Sequence, residues 1–356
     1  MKVLLVGATF NSNFGDLLFS HLFYDKCKEA GFDEISFWQL PRGHAMCDFC
    51  RNELNYHKKV SMWKAMRHDV LIVYSGGMWG EPGFTRRGTV KRFLRFILPA
   101  LVFTLLRKPV YILGAGGGPL FTWPMRKMAR YIWNHARRIT VRNVETRDYY
   151  KSIGVTSDIE LTSDTAQVIT QHSLQPLQEE QELNAFLAGR RFILLQLSCP
   201  TPRDRQMTAM LPAVKEFAQA HPEYAIVVAT DKAEHVDNVR SLMASERGMY
   251  LYDYHDSWQL ASLINLAAVV VTPTLHVGIV AASLGKSVLS FAGFYEKTHR
   301  YYDQIGESER CLKINTINKD IVLSLLEKFH DKPIVLPPTI RNLAQKNLDI
   351  INEIPR

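Results

Sequence analysis

Short apolar runs alternate with longer amphipathic stretches along almost the whole chain. The runs are rich in Val, Ile and Leu, which is typical of strands buried on both faces of a parallel sheet. The stretches between them are long enough for helices that connect parallel strands. The pattern therefore predicts an α/β protein with helices on both faces of its sheets. The predicted strands are 2–8, 34–40, 70–74, 109–113, 139–142, 192–197, 225–230, 249–252, 267–272, 287–291 and 311–314. The predicted helices include 15–31, 121–137, 144–153, 206–220, 234–244, 258–266 and 339–354.

One polar segment interrupts this alternation. Residues 171–184 are rich in Gln and Glu and contain a proline, so they predict a linker between two domains. The first domain then covers residues 1–170 and the second residues 185–330, each around a parallel sheet. A helical segment, 331–356, follows them. A chain of 356 residues is long enough for two such domains.

The most informative stretch begins where the run 267–272 ends. Thr274 and Leu275 lead to His276, which opens a helix of small residues that Gly285 ends. In open α/β sheets, ligands bind at the carboxyl ends of the strands, and the N–H groups of a helix start attract anions. An imidazole there can also transfer protons near neutral pH. We expect His276 to be catalytic or to bind an anion; the alternative is a polar side chain with only a structural role.

Two glycine-rich sequences follow strands of the first domain. One contains Gly76 and Gly77, and the other spans residues 114–119 and contains Gly116 and Gly117. Glycines let the backbone approach a ligand closely, so the two sequences together predict a backbone-lined pocket. Neither has the spacing of a dinucleotide-binding loop or of a P-loop. A nicotinamide cofactor or a P-loop nucleotide is therefore not expected.

A polar loop separates the first strand from the first helix. It places Asn13, Gly15 and Asp16 at the carboxyl end of that strand, where ligands bind. Asn and Asp also cap helices. The sequence leaves a capping role and a ligand-binding role equally open for Asn13 and Asp16.

Arg142 and Asn143 lie at another strand end of the first domain. A guanidinium there can bind a phosphate or a carboxylate through two hydrogen bonds, and we favour this role over a surface ion pair with Glu145. Asp164, after a further strand, is expected to cap a helix or to order a basic residue. In the second domain, Lys297 follows a strand and can add a cation.

The composition adds an electrostatic expectation. The formal charge is +8 at pH 7, which favours acidic partners such as phosphorylated metabolites, nucleotide sugars or an anionic membrane surface. No basic run with interleaved aromatic residues and no nucleic-acid motif occurs, so a nucleic-acid partner is not expected.

Five cysteines are scattered along the chain, which favours a reducing compartment and hence a cytoplasmic protein. Cys47 and Cys50 have the spacing of half a zinc site, and His44 and His57 are near enough in sequence to complete it. Two loop thiols without a metal are the favoured alternative, so no metal site is predicted.

No apolar run reaches the roughly 18 residues that a membrane-spanning helix needs. The nearest run is 93–106, which basic residues flank on both sides. Such a helix can lie in a membrane interface, although burial against the sheet is the favoured interpretation. The interfacial interpretation would bring the protein to the inner face of a membrane.

The order and spacing of these features resemble the polysaccharide pyruvyl transferase family. The resemblance extends from the N-x-G-D sequence at 13–16 to about Lys297. The shared sequences between these ends are Ser75-Gly76-Gly77, the strand and glycines of 108–119, Val141-Arg142-Asn143-x-x-Thr146, Tyr150-x-x-x-Gly154-Val155, Asp164-x-Ala166, and Leu275-His276 with Ala281 and Gly285.

This resemblance implies two Rossmann-like domains in a fold similar to GT-B glycosyltransferases. It also implies a transferase that moves pyruvate from phosphoenolpyruvate onto two hydroxyls of a saccharide, as a ketal, in cell-surface polysaccharide or exopolysaccharide biosynthesis. The first domain would be the acceptor side and the second the donor side. Phosphoenolpyruvate would be the donor substrate without any further cofactor, and a lipid-linked saccharide is one expected acceptor.

The family's site residues match Arg142 and, for its Arg-Leu-His motif, the sequence Thr274-Leu275-His276. The histidine is present, but Thr274 stands where the family has an arginine, so one expected cation is replaced. By hypothesis His276 is the acid/base and Arg142 holds the donor. The predicted catalytic residues are His276 and Asp16, and the predicted substrate-binding residues are Asn13, Gly15, Gly76, Gly77, Gly116, Gly117, Arg142, Asn143, Thr274, Leu275 and Lys297.

Two other functions stay open on the sequence. A glycosyltransferase that uses a nucleotide sugar would have the same architecture and a similar acceptor, and it would not need the arginine that Thr274 replaces. The replacement is also compatible with a non-catalytic saccharide-binding relative. Turnover of phosphoenolpyruvate, turnover of a nucleotide sugar, or saccharide binding without turnover would separate the three.

Overall fold

The computed structural model describes residues 1–8, 12–38, 58–80, 86–177, 180–198, 205–232, 235–244 and 246–355. The chain forms two compact units. Unit 1 combines Met1–Asn11, Asp16–Thr165 and Thr339–Arg356, and unit 2 combines Ser12–Gly15 and Ala166–Pro338. The chain thus leaves unit 1 twice and returns to it twice. The two predicted domains were each one continuous segment of the chain.

The segment predicted as a linker, 171–184, lies within unit 2. It contains a short 3-10 turn, Gln171–Ser173, and the start of a helix at Glu180. Most of its side chains are exposed, which explains why its composition resembles that of a linker. Of the predicted C-terminal segment, the part from Thr339 onward belongs to unit 1 and the part before it to unit 2.

Unit 1 is built on a parallel sheet of buried apolar strands. Its strands in the described chain are β1 (Lys2–Val6), β2 (Glu34–Trp38), β3 (Lys58–Val60), β4 (Val70–Trp79), β5 (Val110–Gly117), β6 (Arg138–Val141) and β7 (Glu160–Leu161). They pair in the order β3-β2-β1-β4-β5-β6-β7, all in parallel. The helices between these strands are α1 (Phe14–Glu29), α2 (Met62–Ala65), α3 (Arg86–Arg92), α4 (Leu98–Leu105), α5 (Trp123–His135) and α6 (Val144–Ser152), with a π-helical turn, Phe93–Ile97, between α3 and α4.

Unit 2 repeats this architecture. Its strands are β8 (Arg191–Leu197), β9 (Tyr224–Thr230), β10 (Met249–Leu251), β11 (Val269–Thr272), β12 (Ser287–Ala292) and β13 (Cys311–Lys313). They pair in parallel in the order β10-β9-β8-β11-β12-β13. The helices of this half of the chain are α7 (Glu180–Leu187), α8 (Leu211–Ala220), α9 (Val236–Met243), α10 (Ser257–Leu266), α11 (Leu275–Ser283), α12 (Tyr295–Gln304) and α13 (Lys319–Phe329). The last helix, α14 (Pro338–Asp349), leads back to unit 1.

The central strands explain why both sheets are parallel and covered. Every residue of β11 is buried, as is every residue of β1 after Lys2. A strand that is apolar on both of its faces needs helices on both sides of its sheet. Burial of each Val, Leu or Ile side chain contributes about 1.5–3 kcal/mol, so these runs fix the centre of each unit.

The two glycine-rich sequences do not end their strands, and this part of the prediction was wrong. β4 continues through Gly76 to Trp79, and β5 continues to Gly117. The register between β4 and β5 shifts between Gly76 and Trp79. The register between β5 and β6 shifts between Ile112 and Ala115, on either side of Gly114. Gly76 and Gly114 have φ angles of 99° and 63° at these places. The glycines thus lie at register irregularities inside continuing strands, and their positive φ angles are tolerated better by glycine than by other residues.

The apolar run 93–106 packs one face into unit 1. Ile97, Ala100 and Phe103 have no exposed surface, whereas Leu105 and Leu106 at the end of the run are 62% and 50% exposed. Burial against the sheet, the favoured interpretation, is therefore correct for one face of this helix. Within the described residues, no helix has both the length and the apolar character that crossing a membrane would require.

The C-terminal helix α14 is fixed to unit 1 by a buried asparagine. Asn347 accepts hydrogen bonds from the hydroxyls of Thr140 (2.6 Å) and Thr162 (2.9 Å). Its amide group donates to the carbonyl of Ser163 (2.9 Å) and to the hydroxyl of Thr165 (3.1 Å). A side chain with all four hydrogen-bonding positions used in this way specifies one place for the helix.

The alternative zinc site falls outside the described residues. Cys47, Cys50, His44 and His57 all lie in the segment 39–57. The structure therefore does not test it.

Candidate active site

His276 lies at the start of α11 in unit 2, directly against the backbone of Gly15. Leu275 is the first residue of this helix and Thr274 precedes it in an extended conformation. A Cβ atom on Gly15 would lie 1.9 Å from Nδ1 and 2.1 Å from Cγ of His276, far inside any allowed contact. Only glycine can therefore occupy position 15 in this arrangement. The fold brings together two predicted site residues that are far apart in the sequence.

The loop that carries Gly15 is held in place by backbone contacts with the end of β9. The N–H of Phe14 donates to the carbonyl of Asp231 at 2.9 Å. Asn13 pairs with Lys232 in an isolated antiparallel bridge. Because these bonds involve the backbone, they fix the path of the chain whatever the side chains do. Gly15 thus has a defined position against the imidazole.

Two threonines that precede this histidine in the sequence belong to a polar hydrogen-bond network. The hydroxyls of Thr272 and Thr274 both donate to Oε1 of Gln196, at 2.6 and 2.9 Å. Nε2 of Gln196 in turn donates to Oδ1 of Asp231 at 3.3 Å. These residues stand at the carboxyl ends of the neighbouring strands β9, β8 and β11. The position at which the family has an arginine is therefore occupied by a hydroxyl that is hydrogen-bonded to Gln196.

Asp231 is the acidic member of this network. Its side chain is 4% exposed, and burial raises the pKa of the carboxyl above its ordinary value, although Lys232 and a hydrogen bond from Ser198 lower it in part. Asp231 and Gln196 are not among the residues that the sequence pattern predicted for the site. Both had a detectable signal in the sequence. Asp231 directly follows the predicted strand 225–230, and Gln196 is a polar residue inside the apolar run 192–197.

Arg142 in unit 1 forms a buried ion pair. Its Nη1 donates to Oδ2 of Asp164 at 2.5 Å, and the two side chains are only 5% and 4% exposed. The surface ion pair with Glu145 that the sequence offered as an alternative does not fit a buried guanidinium. Asp164 orders a basic residue, which was one of its two expected roles. A guanidinium held in this way has a fixed orientation and can still use its other N–H groups.

The glycines of β5 make room for this arginine and for its surroundings. A Cβ on Gly116 would lie 2.5 Å from Nε of Arg142, and one on Gly117 would lie 2.6 Å from the backbone of Trp79. The N–H of Gly117 donates to the hydroxyl of Thr146 at 3.1 Å. Both glycines were predicted to let the backbone approach a ligand; in the structure they permit close packing within unit 1.

Asp16 and the glycines of β4 lie together in unit 1. A Cβ on Gly76 would be 3.8 Å from Oδ1 of Asp16. The carbonyl of Gly77 accepts a hydrogen bond from Nη1 of Arg92 at 3.2 Å. Arg92, which the sequence analysis did not select, ends α3 directly before the π-helical turn, and such turns are frequent at functional sites. Its guanidinium also donates to the carbonyl of Met78 at 3.4 Å, so it holds the end of β4.

Asn143 and Lys297, two further predicted binding residues, lie at the starts of helices. Oδ1 of Asn143 accepts a hydrogen bond from the N–H of Thr146 at 2.9 Å, so this side chain caps α6. Lys297 is exposed in the first turn of α12. A ligand-binding role for either residue stays a prediction.

A family model decides the relationship of this chain. The model for polysaccharide pyruvyl transferase matches residues 13–293. The chain belongs to this family. The resemblance seen in the sequence is thereby confirmed, and membership supports a transferase. Within this family member, the matched region contains every predicted site residue except Lys297.

Solved structures similar to this pyruvyl transferase family member support the fold. A Listeria monocytogenes protein assigned as a UDP-N-acetylglucosamine 2-epimerase has a TM-score of 0.66 at 16% identity, covering 99% of this chain and 96% of that chain. The Methanocaldococcus jannaschii UDP-GlcNAc 2-epimerase, in complex with UDP-GlcNAc and UDP, has a TM-score of 0.60 at 12% identity, with 99% and 100% covered. MurG of Acinetobacter baumannii has a TM-score of 0.51 at 11% identity, with 99% and 94% covered.

These similarities confirm two Rossmann-like parallel-sheet units and a GT-B-like fold. Because the identities are only 11–16%, these similarities show the fold and nothing about the reaction or its substrates. No curated protein matches the chain significantly.

Proposed function

We propose that this protein transfers pyruvate from phosphoenolpyruvate to a saccharide and forms a cyclic ketal. The observation that carries the proposal is the contact between His276 and Gly15, because it joins the family's histidine motif to its N-x-G-D loop. A titratable imidazole at a helix start, held by a fixed backbone, suits proton transfer next to an anionic donor.

The reaction needs one proton donor and acceptor but no redox step. The methylene carbon of phosphoenolpyruvate takes up a proton, which leaves an oxocarbenium-like centre at the adjacent carbon. One sugar hydroxyl attacks this carbon and loses its proton. Phosphate then leaves with the electron pair of its C–O bond, and the second hydroxyl attacks and loses its proton. The two hydroxyl protons balance the one gained by the methyl group and the one carried away with phosphate.

The residues divide these tasks. His276 is the proposed acid/base, and Arg142, oriented by Asp164 within unit 1, is proposed to bind an anionic group of a substrate. Asp16 remains a proposed catalytic residue. Lys232 is proposed to supply the cation that Thr274 does not, because its backbone pairs with Asn13 of the loop that contacts His276.

The donor is tested most directly in D₂O. Purified protein is incubated with phosphoenolpyruvate and a panel of saccharides, and phosphate release and product mass are followed. The proposal expects one deuterium in the methyl group of each ketal, because that group gains one proton from solvent. Release of a nucleoside diphosphate from a nucleotide sugar, with no turnover and no binding of phosphoenolpyruvate, would contradict it.

A second candidate is a transferase that uses a nucleotide sugar. The observation that favours it is the hydroxyl of Thr274, which is hydrogen-bonded to Gln196 where the family has an arginine, so this position itself carries no positive charge. A neighbour of the same fold binds UDP-GlcNAc and UDP. The family match and the retained histidine favour phosphoenolpyruvate as the first donor to test. A lipid-linked saccharide is the acceptor form that we propose to include in the panel.

A further inference from the structure

One segment of the chain carries only positive charge. Residues 82–144 contain thirteen Lys and Arg residues and no Asp or Glu. The rest of the chain contains thirty Lys and Arg residues against thirty-five Asp and Glu residues. The net positive charge of the whole protein therefore comes entirely from this segment, all of which belongs to unit 1.

The outer surfaces of α4 and α5 form an open groove within this segment. Leu101, Leu105 and Tyr131 line it together with Lys127 and Arg130. No acidic residue is among the described residues that line it. The groove thus combines apolar and aromatic side chains with cations whose charge nothing in the lining neutralises.

Large apolar side chains extend from the same surface into solvent. Trp123 is 64% exposed, Leu105 62% and Leu106 50%. Nζ of Lys127 lies 4.1 Å from the centre of the Trp123 ring, which places a cation beside the exposed indole. We call this surface, formed by the end of α4 and the outer face of α5, the basic-aromatic face.

We propose that the basic-aromatic face docks on a bilayer that contains anionic lipids. Tryptophan prefers the interface between headgroups and acyl chains, and leucines next to it can enter the same layer. Lysine and arginine beside them bind the phosphates of anionic lipids. The charge of the segment and the exposed indole are complementary to such a surface. This docking does not depend on the proposed reaction, so the two can fail independently.

Vesicle sedimentation tests the proposal with the full chain. Wild-type protein is mixed with vesicles of phosphatidylcholine alone and with vesicles that contain roughly a third phosphatidylglycerol, in the composition range where surface charge attracts basic residues. We expect at least about tenfold stronger partition to the anionic vesicles, and loss of most of this preference at high salt. Equal partition to both vesicle types would overturn the proposal.

Matched variants locate the docking surface. The double substitution Lys127→Glu, Arg130→Glu should lower partition to anionic vesicles by more than about tenfold, and Trp123→Ser should also weaken it. The charge control is Arg247→Glu with Lys313→Glu, two exposed cations of unit 2. The tryptophan control is Trp63→Ser, since Trp63 is 80% exposed in α2.

The outcomes separate this face from a general effect of charge. Loss of binding in the test variants with unchanged binding in both controls supports the proposal. An equal loss in the charge control, or unchanged partition of Trp123→Ser, would overturn it. Circular dichroism and thermal unfolding of each variant check that the fold is retained. A substituted chain that fails to fold is replaced by Leu105→Ser with Leu106→Ser, which changes two exposed residues at the end of α4.

Discussion

Gly15 and His276 are in direct contact, because the imidazole occupies the space that a side chain at position 15 would need. The substitution Gly15→Ala places a methyl group 1.9 Å from the observed position of Nδ1, so the ring has to move. Displacement of a reacting group by about 1 Å can cost about a hundredfold in rate. We therefore predict that Gly15→Ala lowers pyruvyl transfer about a hundredfold, measured as phosphate release from phosphoenolpyruvate, and costs about 1–3 kcal/mol of stability.

A second glycine gives the control for this substitution. Gly306 has a φ of 76° and no atom within 4 Å of a Cβ built on it. Gly306→Ala therefore introduces backbone strain without any collision, and it should cost about 1 kcal/mol of stability while leaving the rate unchanged. If both alanine variants lose activity equally, the contact between Gly15 and His276 has no special role.

His276→Asn removes the titratable group but keeps a polar side chain of similar length. We predict a loss of about a hundredfold or more in the rate of pyruvyl transfer, with thermal unfolding little changed because His276 is only partly buried. His172 is an exposed histidine of the same unit, and His172→Asn is expected to behave as wild type. A His276→Asn protein with full activity would remove the acid/base assignment.

The pair of Arg142 and Asp164 predicts a large effect on stability. Asp164→Asn leaves a buried guanidinium without its carboxylate, which should lower the free energy of unfolding by about 3–5 kcal/mol. Arg240 and Asp237 form an ion pair whose side chains are 55% and 92% exposed. Asp237→Asn in that pair should cost less than about 1 kcal/mol. Urea denaturation of the two variants measures the difference, and equal costs would contradict a buried, tightly held Arg142.

The raised pKa of Asp231 predicts a specific dependence of stability on pH. Burial makes the folded state hold this proton more tightly than the unfolded state, whose carboxyl titrates near the ordinary value of 3.8. The contribution of Asp231 is then complete below about pH 3.8 and is lost as the pH rises through the higher pKa of the folded state. Asp231→Asn should therefore gain stability relative to wild type as the pH rises from about 3.8 to the pKa of the folded state.

Urea denaturation at several pH values between about 4 and 8 measures this gain directly. Asp253→Asn is a suitable control, because Asp253 is exposed in unit 2 and pairs with Arg240. A constant difference between Asp231→Asn and wild type across this range would show that Asp231 does not titrate there.

Asn347 predicts that the last helix matters for the stability of unit 1. Asn347→Ala removes four buried hydrogen bonds and leaves the hydroxyl of Thr140 without its acceptor, which costs about 1–3 kcal/mol. The hydroxyl of Thr162 keeps the carbonyl of Val141 as an acceptor at 3.1 Å. We predict a total loss of at least about 2 kcal/mol by urea denaturation. Asn342→Ala, an exposed position on the same helix, should change stability by less than about 0.5 kcal/mol.

The sequence predicts the parallel sheets well for a physical reason. Strands that are buried on both faces, such as β9 and β11, appear as short apolar runs rich in Val and Ile, which is typical of parallel sheets. The same reasoning selects the carboxyl ends of strands, where Arg142 and His276 are found. What it cannot give is the partner of each side chain, because Gly15 and His276 are brought together only by the folded backbone.

The sequence was misleading at two kinds of residue, glycines at strand ends and a single polar residue inside a strand. A glycine after an apolar run predicts the end of a strand, yet β4 and β5 continue through Gly76 and Gly114 with a shift in register. Gln196 was overlooked because one polar residue does not change the apolar character of its run. It was nevertheless detectable, since a glutamine inside a fully buried strand must find hydrogen-bonding partners, and here these are Thr272, Thr274 and Asp231.

The hydrogen bonds of Asn347 also have a consequence for synthesis on the ribosome. Asn347 follows Thr140 by 207 residues and Thr162 by 185 residues. At roughly 5–20 residues per second, the nascent chain carries these two hydroxyls for about ten to forty seconds before their acceptor is translated. Unit 2 emerges in the meantime. A chain that ends within α14 would thus destabilise unit 1, the part of the protein that is made first. Chaperones that bind the nascent chain would bind unit 1 before its last helix is present.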